Sequence, residues 1–252
     1  MARATSNAAE VEPFYDTADR PARTLAIEVF EKLRADILSS QLPPGKKLRF
    51  EELRKAYGVG LSPLREALSR LAENRLVVAT GQRGFRVPSV SVQDFMDIAM
   101  VRKEIEDFAL RLSIKNGDDA WEARVVAAHY KMNLLAKTGK EHGEDVWERR
   151  HREFHYTLVS CCNSPCLLHL HGLLNDLFDR YRRRALPTHL WSAARTLMHQ
   201  RIVDAALARD ADAAANLLAD HIDQATKLVV DNFQTADRRR KPQKVRAKKP
   251  RR

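Results

Sequence analysis

Leu61-Ser62-Pro63-Leu64-Arg65-Glu66-Ala67-Leu68-Ser69-Arg70-Leu71 is the stretch on which the fold turns. Ser62 has the side chain of a helix N-cap, and Pro63 suits a first helical position, where no backbone N–H is required. Leu64, Leu68 and Leu71 then recur at helical spacing, so a helix with one buried stripe is expected over 62–74. Upstream, Gly58-Val59-Gly60 reads as a turn, preceded by a short helix from Phe50 to Tyr57 with Phe50 and Leu53 facing inward. Pro43-Pro44-Gly45 ends an earlier helix in which Leu25, Ile27, Val29, Phe30, Leu33, Ile37 and Leu38 keep the helical period between Thr24 and Ser40. Downstream, Val77-Val78 and Phe85-Arg86-Val87 flank a Gly81-Gln82-Arg83-Gly84 tip, the pattern of a β-hairpin.

Three helices and a hairpin in that order match a winged helix-turn-helix over residues 22–89, behind a flexible leader at 1–21. A helix fits the major groove of DNA while the helix before it braces across the backbone. Ser62 and Arg65, at the leading end of the third helix, are therefore expected to touch bases or phosphates, with Arg49 at the brace. Gln82, Arg83 and Gly84 at the hairpin tip would lie along the neighbouring groove or backbone.

The fold class expected for the whole chain is mainly α. Residues 93–233 keep a helical pattern broken near Gly117, Gly139 to Gly143, Ser164-Pro165, Pro187 and Asp210. Six helices follow, at 93–116, 118–138, 144–162, 165–185, 189–208 and 211–233, and an all-α bundle is the natural architecture. No apolar run approaches the ~20 residues of a membrane span, and the N-terminus lacks the apolar core of a secretory signal, so a cytoplasmic protein is expected. Cys161, Cys162 and Cys166 form a local group, read as reduced thiols in a helix and the turn after it. Of the formal charge of +11, residues 238–252 contribute +10 and the other 237 residues only +1. That Lys- and Arg-rich tail is expected to be disordered, as a solubilising segment or as an arm adding salt-sensitive affinity for phosphates.

Four histidines have suggestive placement. His151 and His155 share a face of the third bundle helix, while His199 and His221 lie midway along the last two. Facing side chains inside bundles build metal sites, and imidazole suits Zn, Ni, Cu or Fe. The same spacing also fits a solvated pair, and spacing leaves both readings open.

From Leu42-Pro43-Pro44-Gly45 through Leu48, Leu53, Gly58-Val59, Ser62-Pro63-Leu64-Arg65-Glu66-Ala67-Leu68 and Arg70-Leu71 to Gly84-Phe85-Arg86-Val87, the chain resembles GntR-family regulators. Its helical half resembles the FadR C-terminal (FCD) effector domain, so the resemblance spans roughly residues 24–233. Leu61 stands where the family usually carries Arg, and Phe50-Glu51 where it commonly has Glu followed by Arg, so the operator should differ from the family's common one. The resemblance implies a metal held by an Asp and three His. Here Phe154-His155, His199 and His221 match the pattern, and His151 replaces the acid. Zn or Ni is the expected divalent ion. The resemblance further implies a small carboxylate effector near Arg102, where FCD domains often place an Arg facing the cavity. Tyr181 and the run Arg182-Arg183-Arg184 could add a hydroxyl or one more cation, and the alternative is that at least two of those three Arg are solvated. It also implies a homodimer on a pseudo-palindromic operator in double-stranded DNA, with repression relieved by the effector.

Two rival functions would also use parts of this sequence. A metal-dependent enzyme would need a water-activating site, yet no HExxH and no obvious general base accompany the histidines; Glu153 points off their face. A nonspecific nucleic-acid binder driven by the tail would leave Arg65 dispensable.

Overall fold

The computed structural model describes residues 24–81, 84–138, 144–186 and 193–240. Helix α1 (Leu25–Leu38) starts at Thr24, whose side chain accepts from the Ile27 N–H. Strand β1 (Lys47–Leu48) leads to α2 (Phe50–Tyr57), which Gly58 ends in the left-handed conformation, φ 67°, where a side chain would be strained. Helix α3 (Leu61–Glu73) follows and packs against α1, and Val29, Leu33 and Ile37 of α1 are buried in the same core as Leu64, Leu68 and Leu71 of α3. Strands β2 (Val78–Ala79) and β3 (Phe85–Arg86) form the wing. At its tip Gly84, φ 104°, accepts from both the N–H and the hydroxyl of Thr80.

Two local expectations differ. The N-cap of α3 is Gly60, two residues earlier than the expected Ser62, so Ser62 and Pro63 lie inside the first helical turn. A proline is tolerated there because first-turn N–H groups have no intrahelical partner. The hairpin also gains a third strand, since β3 pairs with β1 as well as β2 in the order β1-β3-β2.

The C-terminal part comprises α4 (Val92–Asn116), α5 (Asp119–Thr138), α6 (Glu144–Val159), α7 (Pro165–Ala185), α8 (Ala193–Leu207) and α9 (Ala211–Arg240). Helix α4, capped by Ser91, packs against α6, α7 and α9; α5 lies against α6 and α8, and α8 against α9. Helix α6 stops three residues earlier than expected, at Val159, because the chain turns through Asn163, φ 55°, into the Ser164 cap and Pro165 of α7. Cys161 and Cys162 lie in that turn, and Cys161, Cys162 and Cys166 are free thiols. Helix α8 is described from Ala193; the expected residues 189–192 before it lie outside the described residues. Helix α9 continues to Arg240 instead of ending at 233, because no breaker occurs before Pro242. The expectation for the basic tail from 241 onward lies outside the described residues.

Helix α7 is the hub of the molecule. Every residue from Leu174 to Arg182 is buried, and the helix touches α1, α4, α6 and α9. Its charged groups are thereby forced into pairs, because an unpaired charge in such surroundings is costly. Among the described residues no helix is long and apolar enough to cross a membrane.

Candidate DNA-reading surface and histidine centre

The leading end of α3 faces outward. Leu61, Ser62, Arg65 and Glu66 are exposed, while Leu64, Ala67, Leu68 and Leu71 are fully buried behind them. The Arg65 guanidinium lies 5.6 Å from the centroid of Phe50, which meets the wing residue Phe85 edge-on at 6.2 Å. A cation on an aromatic face loses some rotamer freedom, so Phe50 partly organises the arginine expected to read DNA. Arg49, at the start of α2, is largely exposed and 3.1 Å from Glu52. Gly84 is placed at the wing tip, whereas Gln82 and Arg83 lie outside the described residues.

The histidines converge in the interior of the helical part. His151 and His155 come from α6, His199 from α8 and His221 from α9; all are buried, and one ligand nitrogen from each lies within 4.8 Å of the other three. His151 Nε2 and His155 Nε2 are 3.2 Å apart. A tetrahedral shell with Zn–N bonds near ~2.0–2.1 Å has neighbouring nitrogens about 3.3 Å apart. Burial, reinforced at His151 by its neighbouring imidazoles, holds His151 and His155 well below the usual histidine range. They are therefore neutral near pH 7, the form that can donate a lone pair to a metal.

A buried carboxylate sits behind this group. Glu106 on α4 is 1% exposed, accepts from Arg102 Nε at 2.6 Å, and lies 3.4 Å from His171 Nδ1 and 4.0 Å from His155 Nδ1. Burial alone would raise its carboxyl, but Arg102 and His171 hold it well below the usual carboxylate range. A carboxylate behind an imidazole fixes ring orientation and raises ligand basicity. Spacing did not single out Glu106 or His171; the available signal was Arg102 and Glu106 one helical turn apart.

Beside the histidines is a cavity of about 10 Å³, lined by Arg102, His151, Phe178, Arg182, His221, Ile222 and Ala225. It has room for about one water. Arg102 lines this cavity, with its guanidinium 4.5 Å from the Phe178 centroid. Tyr181 is not brought to this cavity, because its hydroxyl donates to Asp94 at 2.6 Å at the head end of α7 and accepts from Arg180 at 3.0 Å. Its place is taken by Arg182, held by Glu148 and, at 2.8 Å, by Asp179. Of the three arginines only Arg184 is exposed; the Arg183 side chain retains 14% exposure beside Asp145 and Glu148. The expectation that two of them are solvated is corrected accordingly: acids on α6 draw them in.

A winged three-helix head joined to a bundle of helices is an architecture of transcription regulators. Comparison places the chain among them. Residues 25–87 match the family described as "Bacterial regulatory proteins, gntR family", and residues 97–224 match the "FCD domain". The chain is 38% identical over 210 residues, 82% of its length and 86% of the relative's, to "Uncharacterized HTH-type transcriptional regulator BphR" of Paraburkholderia xenovorans (strain LB400). It is 37% identical over 202 residues, 78% of its length and 92% of the relative's, to "HTH-type transcriptional repressor GlaR" of Escherichia coli (strain K12). The fold is shared with the solved "E. coli McbR/YncC", at a TM-score of 0.71 and 22% identity over 83% of this chain and 99% of that one. The protein belongs to the GntR family, carries an FCD domain and is a DNA-binding transcription regulator.

Proposed function

We propose that this regulator is a homodimeric, metal-assisted sensor of a small carboxylate, acting as a repressor on a pseudo-palindromic DNA site. The observation that carries the reading is the pairing, in one chain, of an exposed α3 leading end with a buried four-imidazole centre beside two arginines. Residues 22–89 form the head that reads DNA and 93–233 the unit that senses and dimerises, a division supported by the two family matches. In the head, Ser62 and Arg65 enter the major groove, Arg49 braces on phosphate, and the wing tip from Gln82 to Gly84 follows the adjacent backbone.

In the bundle, His151, His155, His199 and His221 hold a divalent ion, Zn or Ni by the all-nitrogen donor set. Bound there, the ion supplies an electrophilic point that attracts an anionic ligand. Arg102 and Arg182 orient its carboxylate, as guanidinium forks do. The cavity's small volume is informative, because a ligand larger than water must displace its walls, and affinity for DNA changes only through such differential binding. His151 in place of an acid makes the donor set neutral and so less hospitable to hard cations such as Mg.

Repression is supported by the description of one relative as a repressor. A cytoplasmic site of action and the absence of catalysis accord with the regulator class. Dimerisation is supported by Met96, Met100 and Phe108 on α4, 49%, 57% and 54% exposed along one side of the helix. The test is to select DNA from a random pool with the full-length protein, then titrate the bound complex with mono-, di- and tricarboxylates at fixed Zn(II). Release of DNA by one acid class at concentrations that leave a His155→Ala complex intact is expected. Indifference to every acid, with Zn(II) bound, would refute the sensor.

A further inference from the structure

Between the histidine cavity and the DNA-reading head runs an unbroken line of charged side chains. Arg182, on the cavity wall, donates through Nε to Asp179 at 2.8 Å. Asp179 accepts from Arg152 Nη2 at 3.2 Å, and Arg152 Nη1 donates to Asp176. Asp176 in turn accepts from both Nε and Nη2 of Arg34, the latter at 2.6 Å. Arg34 belongs to α1, whose other face packs on α3. Arg152 lies between His151 and His155 in α6, so the line is also tied to the helix that carries two of the four imidazoles.

We propose that Arg182, Asp179, Arg152, Asp176 and Arg34 are the positioning residues that transmit the state of the cavity to the head. The proposal takes from the functional reading only the identity of the cavity as the input. With Glu148 on Arg182, the line matches three guanidinia with three carboxylates, two of them shared between neighbours. Asp176, Asp179, Glu148 and Arg182 are each no more than 6% exposed, so water cannot take over a lost partner. An anion that engages Arg182 competes with Asp179 and Glu148, and the added negative charge unbalances a neutral row. Asp179 is then left to Arg152, Arg152 is drawn from Asp176, and the hold of Asp176 on Arg34 changes last.

The same helix grips the head a second time. Arg180 donates to the carbonyl of Pro88 at 3.3 Å, and Asp94, which accepts from Tyr181, also pairs at 3.0 Å with Arg75, just beyond α3. Movement of α7 is thus felt at both α1 and the base of the wing.

The test is a double-mutant cycle read at the head. Wild type, Arg182→Gln, Arg34→Gln and the double variant, all full length, are compared for affinity to DNA selected by the wild type and for amide exchange along α1. Arg182→Gln is expected to shift DNA affinity by about fivefold or more and to alter exchange in α1. In the Arg34→Gln background the same change should move affinity by less than about twofold. Equal shifts in both backgrounds, or an Arg182→Gln change that never reaches the head, overturn the proposal. If circular dichroism shows that Arg182→Gln does not fold, the partly exposed Arg152→Gln replaces it, with the same expectations. No metal or acid enters the cycle. Calorimetric titration of the wild type with Zn(II) separately tests the cavity reading, so the two failures are distinguishable.

Discussion

Arg65 and His155 show how much one side chain can decide. Arg65 is exposed yet steadied by Phe50, so in the proposed contact with DNA part of its entropy cost would already be met. His155 is 1% exposed, with Glu106 behind its Nδ1 and His151 against its Nε2. Replacing it with alanine should weaken Zn(II) binding by at least about tenfold in calorimetry, while the far-ultraviolet dichroism stays unchanged; undiminished binding would remove His155 from the ligand set. Acid acts on the same group. Burial depresses His151 and His155 below the unfolded histidine value, reinforced at His151 by the adjoining imidazoles and only partly offset at His155 by Glu106. The unfolded chain therefore binds more protons than the folded one as pH falls below about 6.5. Stability from these two groups is present above that pH and is lost on acidification. The melting temperature of chelator-stripped protein should fall between pH 7.5 and 5.5, and a His151→Gln, His155→Gln variant should fall less steeply. Parallel profiles would contradict the assignment.

At the scale of the element, α3 is held by one stripe. Leu68 is fully buried between α1 and the body of the head, and Leu68→Ala should cost about 2–5 kcal/mol, measured by urea unfolding. A loss below about 1 kcal/mol would mean that the head is not built on this contact. The stripe was legible because Leu64, Leu68 and Leu71 repeat with the helical period, and six helices of the bundle were legible for the same reason. Strand β1 was not, because two residues have no period and Lys47-Leu48 becomes a strand only by pairing with β3. The cap of α3 is hidden in the sequence because Ser62 has cap chemistry, while Gly60 takes the required extended backbone one residue before the helix. The histidines were legible as spacing within α6 and as family pattern across α8 and α9. Glu106 and His171 were not, and Arg182 could not be singled out from the run Arg182-Arg183-Arg184, since only the crossing of α4, α6 and α7 makes these groups neighbours.

At the scale of the whole molecule, α7 lies between the proposed sensing and reading sites, and the proposed dimer would join two chains through the bundle. Sedimentation should give the mass of two chains, and Phe108→Asp with Met100→Asp should give one; a wild-type monomer at micromolar concentration would leave the exposed α4 side without a role. We propose that the leading end of α3 reads base sequence, with the basic tail contributing affinity alone. Fluorescence anisotropy at fixed salt, comparing a duplex selected by the protein with its shuffled counterpart, tests this most directly. Wild type should prefer the selected duplex by about 10³-fold or more. Arg65→Glu should reduce that ratio by at least about tenfold, while deletion of residues 238–252 should weaken both duplexes and leave the ratio in place. A ratio untouched by Arg65→Glu and abolished by losing the tail would contradict the account.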